Sequence, residues 1–91
     1  MTPRISIKQH EACVYEWAIM YDAHKADDDF GETSILACLM SALSGLPSEE
    51  SLVELSYQGV HMGTFARQRV QAHPAAFVSL VAATYAELTL N

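Results

Sequence analysis

His10 and Cys13 stand three residues apart, the spacing that puts two potential zinc ligands on one face of a helix. A zinc site needs three or four ligands, and the remainder would have to come from Cys38, His24 or His61, none of which belongs to a second paired motif. Two ligands do not make a site, so no metal is expected. Asp27, Asp28, Asp29 and Gly31 superficially suggest a calcium loop. Counted from Asp27, the glycine falls one place early, and Cys38 occupies the position of the bidentate glutamate. This segment reads instead as a solvated turn.

Nucleophilic chemistry is no better supported. Cys38 with His61, or Cys13 with His10, can be drawn as thiol and base, but no local sequence supports either pair. The four glycines, at 31, 45, 59 and 63, lack both the spacing and the following lysine of a phosphate-binding loop. The expectation is a protein without catalytic residues or a cofactor.

Charge is the more informative feature. The chain of 91 residues has a formal net charge of −6, unevenly spread. Ten acids lie between Gln9 and Glu54 against Lys25 alone, whereas from Leu55 onward Arg67 and Arg69 face only Glu87. An acidic first half repels polyanions and attracts basic surfaces. Glu11, Glu16, Asp22, Asp27, Asp28, Asp29 and Glu32 are the candidate partner-binding residues, interleaved with the aromatic anchors Tyr15, Trp17 and Tyr21. They suit a basic, nucleic-acid-binding surface on another protein. At the level of size and charge this suggests a small inhibitor or adaptor, of the kind found among phage antagonists of bacterial defence and among immunity proteins.

The competing reading is a helix-turn-helix regulator over residues 52–72. Leu52 and Leu55 would anchor its first helix, Gly59 would make the turn, and Met62 to Ala72 would present Thr64, Arg67, Gln68, Arg69 and Gln71 to DNA. Two arginines in so acidic a chain weigh against it, because phosphate neutralisation supplies much of a DNA binder's affinity.

The elements that must position these residues read as four helices in one domain, 1–91. The first starts at Ser6, where Ser6 and Gln9 have capping-box spacing, and carries the stripe Ile7, His10, Val14, Trp17, Tyr21, His24. The second starts at a box formed by Asp29 and Glu32 and ends at Ser44. There SGLP supplies a left-handed Gly45 and a blocking Pro47. The third opens at Ser48, with Leu52, Ser56, Gly59, Gly63, Ala66 and Val70 forming a small-residue groove. The fourth runs from Pro74 to about residue 88 on Phe77, Val78, Val81, Tyr85 and Leu88. The resulting fold is an all-α bundle. With 51% apolar and 18% charged residues, it is expected to form a homodimer. No segment reads as a leader or a membrane span, Cys13 and Cys38 are expected to stay reduced, and the location is expected to be cytoplasmic.

Overall fold

In the computed structural model, which describes residues 1–90, the first helix of that reading is replaced by two strands and the acidic turn after it by a third. β1 spans Arg4–Glu11, β2 Val14–Tyr21 and β3 His24–Glu32. Then follow α1 (Ile35–Gly45), β4 (Leu52–Tyr57), β5 (Val60–Ala66), α2 (Arg67–Ala72) and α3 (Pro74–Thr89). The sheet order is β3-β2-β1-β4-β5, with β1 and β4 parallel and the other neighbours antiparallel. The all-α bundle is therefore incorrect: the protein is a mixed α/β fold with 42% strand and three helices.

The strands form because the apolar period is two where it matters. In RISIK, Ile5 and Ile7 are buried while Arg4, Ser6 and Lys8 point the other way, and in β2 Trp17 and Ile19 repeat the pattern. Ile5 lies opposite Ile19 on one side and Leu55 on the other, and Ile7 lies opposite Trp17 and Tyr57. These residues pave the face beneath the helices. Cys38, Leu39, Ala42 and Leu43 from α1, Val70 from α2, and Phe77 and Val81 from α3 complete a single core. Trp17, read as an aromatic anchor, belongs to this core at 5% exposure. Its Nε1 has no hydrogen-bond partner among the described residues.

Each hairpin turns in two residues, and three of the four residues that take positive φ for it are not glycine. Cys13 has φ 60°, Asp22 54° and Gln58 52°, followed by Gly59 at 80°. Gln58 and Gly59 together have the positive-φ pair of the type I′ turn that suits the twist of antiparallel strands. This turn is tied back to β1, since Gln9 N donates to Gln58 Oε1 at 3.0 Å and Tyr57 Oη donates to Gln9 Oε1 at 3.3 Å.

Two helices match the sequence closely. α1 ends at SGLP, with Leu46 N donating to Leu43 O, although Gly45 is the last helical residue and is not left-handed. α3 starts with Pro74 in its first turn and buries Phe77 and Val81. The start of α1 differs: its N-cap is Ser34, whose hydroxyl accepts from Ala37 N at 3.0 Å, while Asp29 and Glu32 lie in β3. Ser34→Ala is expected to cost about 1 kcal/mol in urea unfolding, the usual loss for an N-cap hydroxyl, whereas Ser34→Asp should retain most of the stability. Among the described residues no helix is long and apolar enough to cross a membrane.

Candidate functional site

Three surfaces of this fold carry chemistry: the β3 edge, the uncovered face of the sheet, and a hollow beside α3. β3 is an edge strand, and all its residues except Glu32 are exposed. Strand alternation splits the three aspartates. Asp27 and Asp29 pair with the buried Ile19 and Trp17 and so lie on the helix side, where Asp27 Oδ2 sits beside Gly45. Asp28 lies opposite Ala18 on the uncovered side, and its Oδ2 accepts from Lys25 Nζ at 3.1 Å. Asp27 and Asp29 each accept from the next backbone amide, at 2.9 and 2.8 Å, which fixes their carboxylates against their own strand.

Of the remaining candidate acids, Glu16 stands on β2 and meets His10 Nε2 at 2.8 Å, while Glu32 at the end of β3 accepts from the Ser41 hydroxyl of α1. Asp22 occupies the β2–β3 turn. Six of the seven thus share the β2–β3 hairpin, on both of its faces. Glu11, at the end of β1 next to the β1–β2 turn, is at the opposite end of the strands from Asp22. The structure gathers the acids along one edge of the sheet without aiming them all in one direction.

The uncovered face is balanced by comparison. Arg4, Ser6, Lys8, Glu16, Ala18, Met20 and Lys25 line a shallow cleft of about 250 Å³, floored by the small Ser6–Ala18 pair. Its cations are offset by Glu16, by Asp28 and by Glu54, which meets His61 Nδ1 at 3.7 Å. The excess negative charge therefore belongs to the edge. The alternation of Arg4, Ser6 and Lys8 was the sequence signal for this cationic row, and a helical reading of the segment conceals it.

The helix-turn-helix geometry does not form. Residues 52–66 are the β4–β5 hairpin, and α2 is a six-residue helix starting at Arg67. Thr64 is on strand β5, and Gln68 is exposed on α2. Arg67 is turned inward: its guanidinium donates to the carbonyls of Pro47 at 2.5 Å, Leu43 at 3.1 Å, Glu50 at 3.2 Å and Leu46 at 3.3 Å. Four acceptors account for the N–H groups of its two terminal nitrogens, so it clamps the end of α1 and the loop that follows. Arg69 lies over the Phe77 ring at 5.9 Å. With Phe65, His73, Ala76 and Leu80 these two residues line an apolar hollow of about 260 Å³.

The thiol and imidazole pairs are not assembled either. Cys38 is buried under the helices while His61 is exposed across the sheet beside Glu54, and burial, then Glu32, Asp29 and Glu16, push the Cys38 thiol up to about 12. A thiol so far from ionising supplies no nucleophile at neutral pH. Cys13 is free and exposed in the β1–β2 turn, and the His10 ring packs against Phe30, 4.9 Å between centroids. Among the described residues no three His, Cys, Asp or Glu side chains are placed to hold a metal ion. Comparison with protein-family models, with curated proteins and with solved structures finds no match for this chain.

Proposed function

We propose that the protein is a non-catalytic binding module, an inhibitor or adaptor that presents its β3 edge to a basic surface of another protein in a reducing, cytoplasmic setting. One observation carries this reading: three consecutive aspartates lie exposed on an edge strand. Asp is disfavoured in strands, and adjacent carboxylates repel. Protection against stray edge pairing needs only a charge or a bulge, and the β2–β3 pairing already contains Lys25 and two irregularities. The additional carboxylates answer to something other than solubility of the edge. Asp27 and Asp29 stand about 6.7 Å apart on one side of the strand with Asp28 between them on the other, offering Lys and Arg side chains a short row of anions in place of a nucleic-acid backbone.

Binding to an immobilised arginine-rich peptide tests the reading. The combined Asp27→Asn, Asp28→Asn, Asp29→Asn variant should bind at least about tenfold more weakly and lose most of the salt dependence. A control variant, Glu49→Gln, Glu50→Gln, Glu54→Gln, changes the net charge equally and should stay within about twofold of wild type. Equal losses in the two variants would reduce the effect to net charge and remove the edge as the site.

A further inference from the structure

We infer that a second copy of this chain docks on α3 in an antiparallel, two-fold arrangement centred on Ala83, placing Leu90 and Glu87 of each copy against the Phe65–Phe77 hollow of the other. This goes beyond the acidic edge and uses the opposite side of the molecule. α3 is uncharged except for Glu87, and α1 has no charged residue at all. In a chain of net charge −6, the helical layer is where two copies approach with least repulsion.

The register follows from the residues left exposed. Ala76, Leu80, Ala83, Glu87 and Leu90 recur at intervals of three and four along α3, all exposed, with Leu80 at 43% and Leu90 at 80%. A two-fold axis at Ala83 brings Leu90 of one copy level with Ala76 of the other, and Glu87 level with the turn holding Leu80. Beside Ala76 and Leu80 lie the edge-to-face pair Phe65 and Phe77, 4.9 Å between centroids, with Arg69 and His73 at the rim. Arg69 and Glu87 have no ion-pair partner among the described residues. Each copy thus contributes a leucine and a carboxylate at one end of α3 and accepts the same pair at the other, as an isologous interface requires.

Two further terms favour the arrangement. Antiparallel α3 helices oppose their macrodipoles, and alanine at the crossing point lets the axes approach closely. Four turns of helix with the filled hollow would bury on the order of 600 Å² per copy, at the lower limit of a specific interface.

Sedimentation and light scattering from about 1 to 200 µM test this, a range that covers weak, reversible dimers of the small-interface class. Wild type should pass from monomer to dimer. Arg69→Glu and Glu87→Arg should each weaken the dimer about tenfold or more, and the double variant should recover to within about threefold of wild type. In a Cys13→Ser background, Ala83→Cys should oxidise readily to a disulfide dimer because the residue meets its own copy on the axis, while Ala75→Cys should not. The triple asparagine variant of β3 should dimerise like wild type, which separates this interface from the edge. A monomer throughout the range, a double swap that restores nothing, or equal crosslinking at positions 75 and 83 would overturn the inference.

Discussion

Ile5→Ala is expected to lower the free energy of unfolding by about 3–4 kcal/mol, the largest effect of any single truncation considered for this chain. Ile5 is fully buried on the central strand, flanked by Ile19 and Leu55 on its two neighbours. A cavity there cannot close by movement of a surface element, because strands on both sides hold the backbone. A domain of this size has roughly 5–10 kcal/mol in all, so the variant should be only marginally folded at 37 °C. The adjacent control is Ser6→Ala, which lies on the uncovered face and should change stability by no more than about 0.5 kcal/mol. Urea unfolding of the two variants measures the alternation directly: comparable losses at both positions would contradict a strand with one covered face.

Arg67→Ala is expected to cost about 2–3 kcal/mol, which for a domain this small lowers Tm by roughly 10–15 °C. The carbonyls of Leu43, at the end of α1, and Pro47, in the loop running to β4, each have one backbone donor, Leu46 N and Glu50 N, whereas those of Leu46 and Glu50 have none among the described residues. The fork of the guanidinium serves all four at once. Truncation leaves the Leu46 and Glu50 carbonyls to whatever water can reach a half-buried site, and removes the link that ties the helix end to the loop. Arg67→Lys should recover less than half of the loss, since one ammonium cannot span acceptors spread over the helix end and the loop. A Lys variant as stable as wild type would show that charge alone, and not the fork, holds the junction.

How much of this was legible in the sequence differs along the chain. The end of α1 at Gly45-Leu46-Pro47 and the start of α3 at Pro74 depend on local backbone chemistry, and both appear where that chemistry puts them. The first 32 residues misled because Ile7, His10, Val14, Trp17, Tyr21 and His24 fall three and four apart by accident of two short hairpin loops. Neither loop carries the Asn-Gly or Asp-Gly pair that announces such a turn: Cys13 and Asp22 take the positive φ instead. A contrary signal was present. No leucine precedes Leu36, and the stretch is rich in Ile, Val, Tyr and Trp, which favour strands. In residues 52–66 the alternation of Val53, Leu55 and Tyr57, broken by Gln58-Gly59, was masked by reading Gly59 and Gly63 as a helix groove. Gly63 has φ 135°, and a Cβ there would lie 2.8 Å from the Phe65 ring, so the residue serves a bulged strand.

The candidate site was legible in composition and not in direction. The run Asp27-Asp28-Asp29 was evident, but as a solvated turn its members have no set direction, whereas on β3 they alternate across an edge. The role of Arg67 was hidden for a related reason. Its four acceptors lie 17 to 24 residues earlier in the chain, and only the tertiary path from α1 to β4 brings them to it.

Amide hydrogen exchange on the protein bound to the arginine-rich peptide tests the central claim most directly. β3 is an edge strand, and the peptide is expected to add protection only at residues 22–32 and the neighbouring part of β2, with β5 and α2 unchanged. Protection on β5 or α2 with β3 unaltered would contradict it.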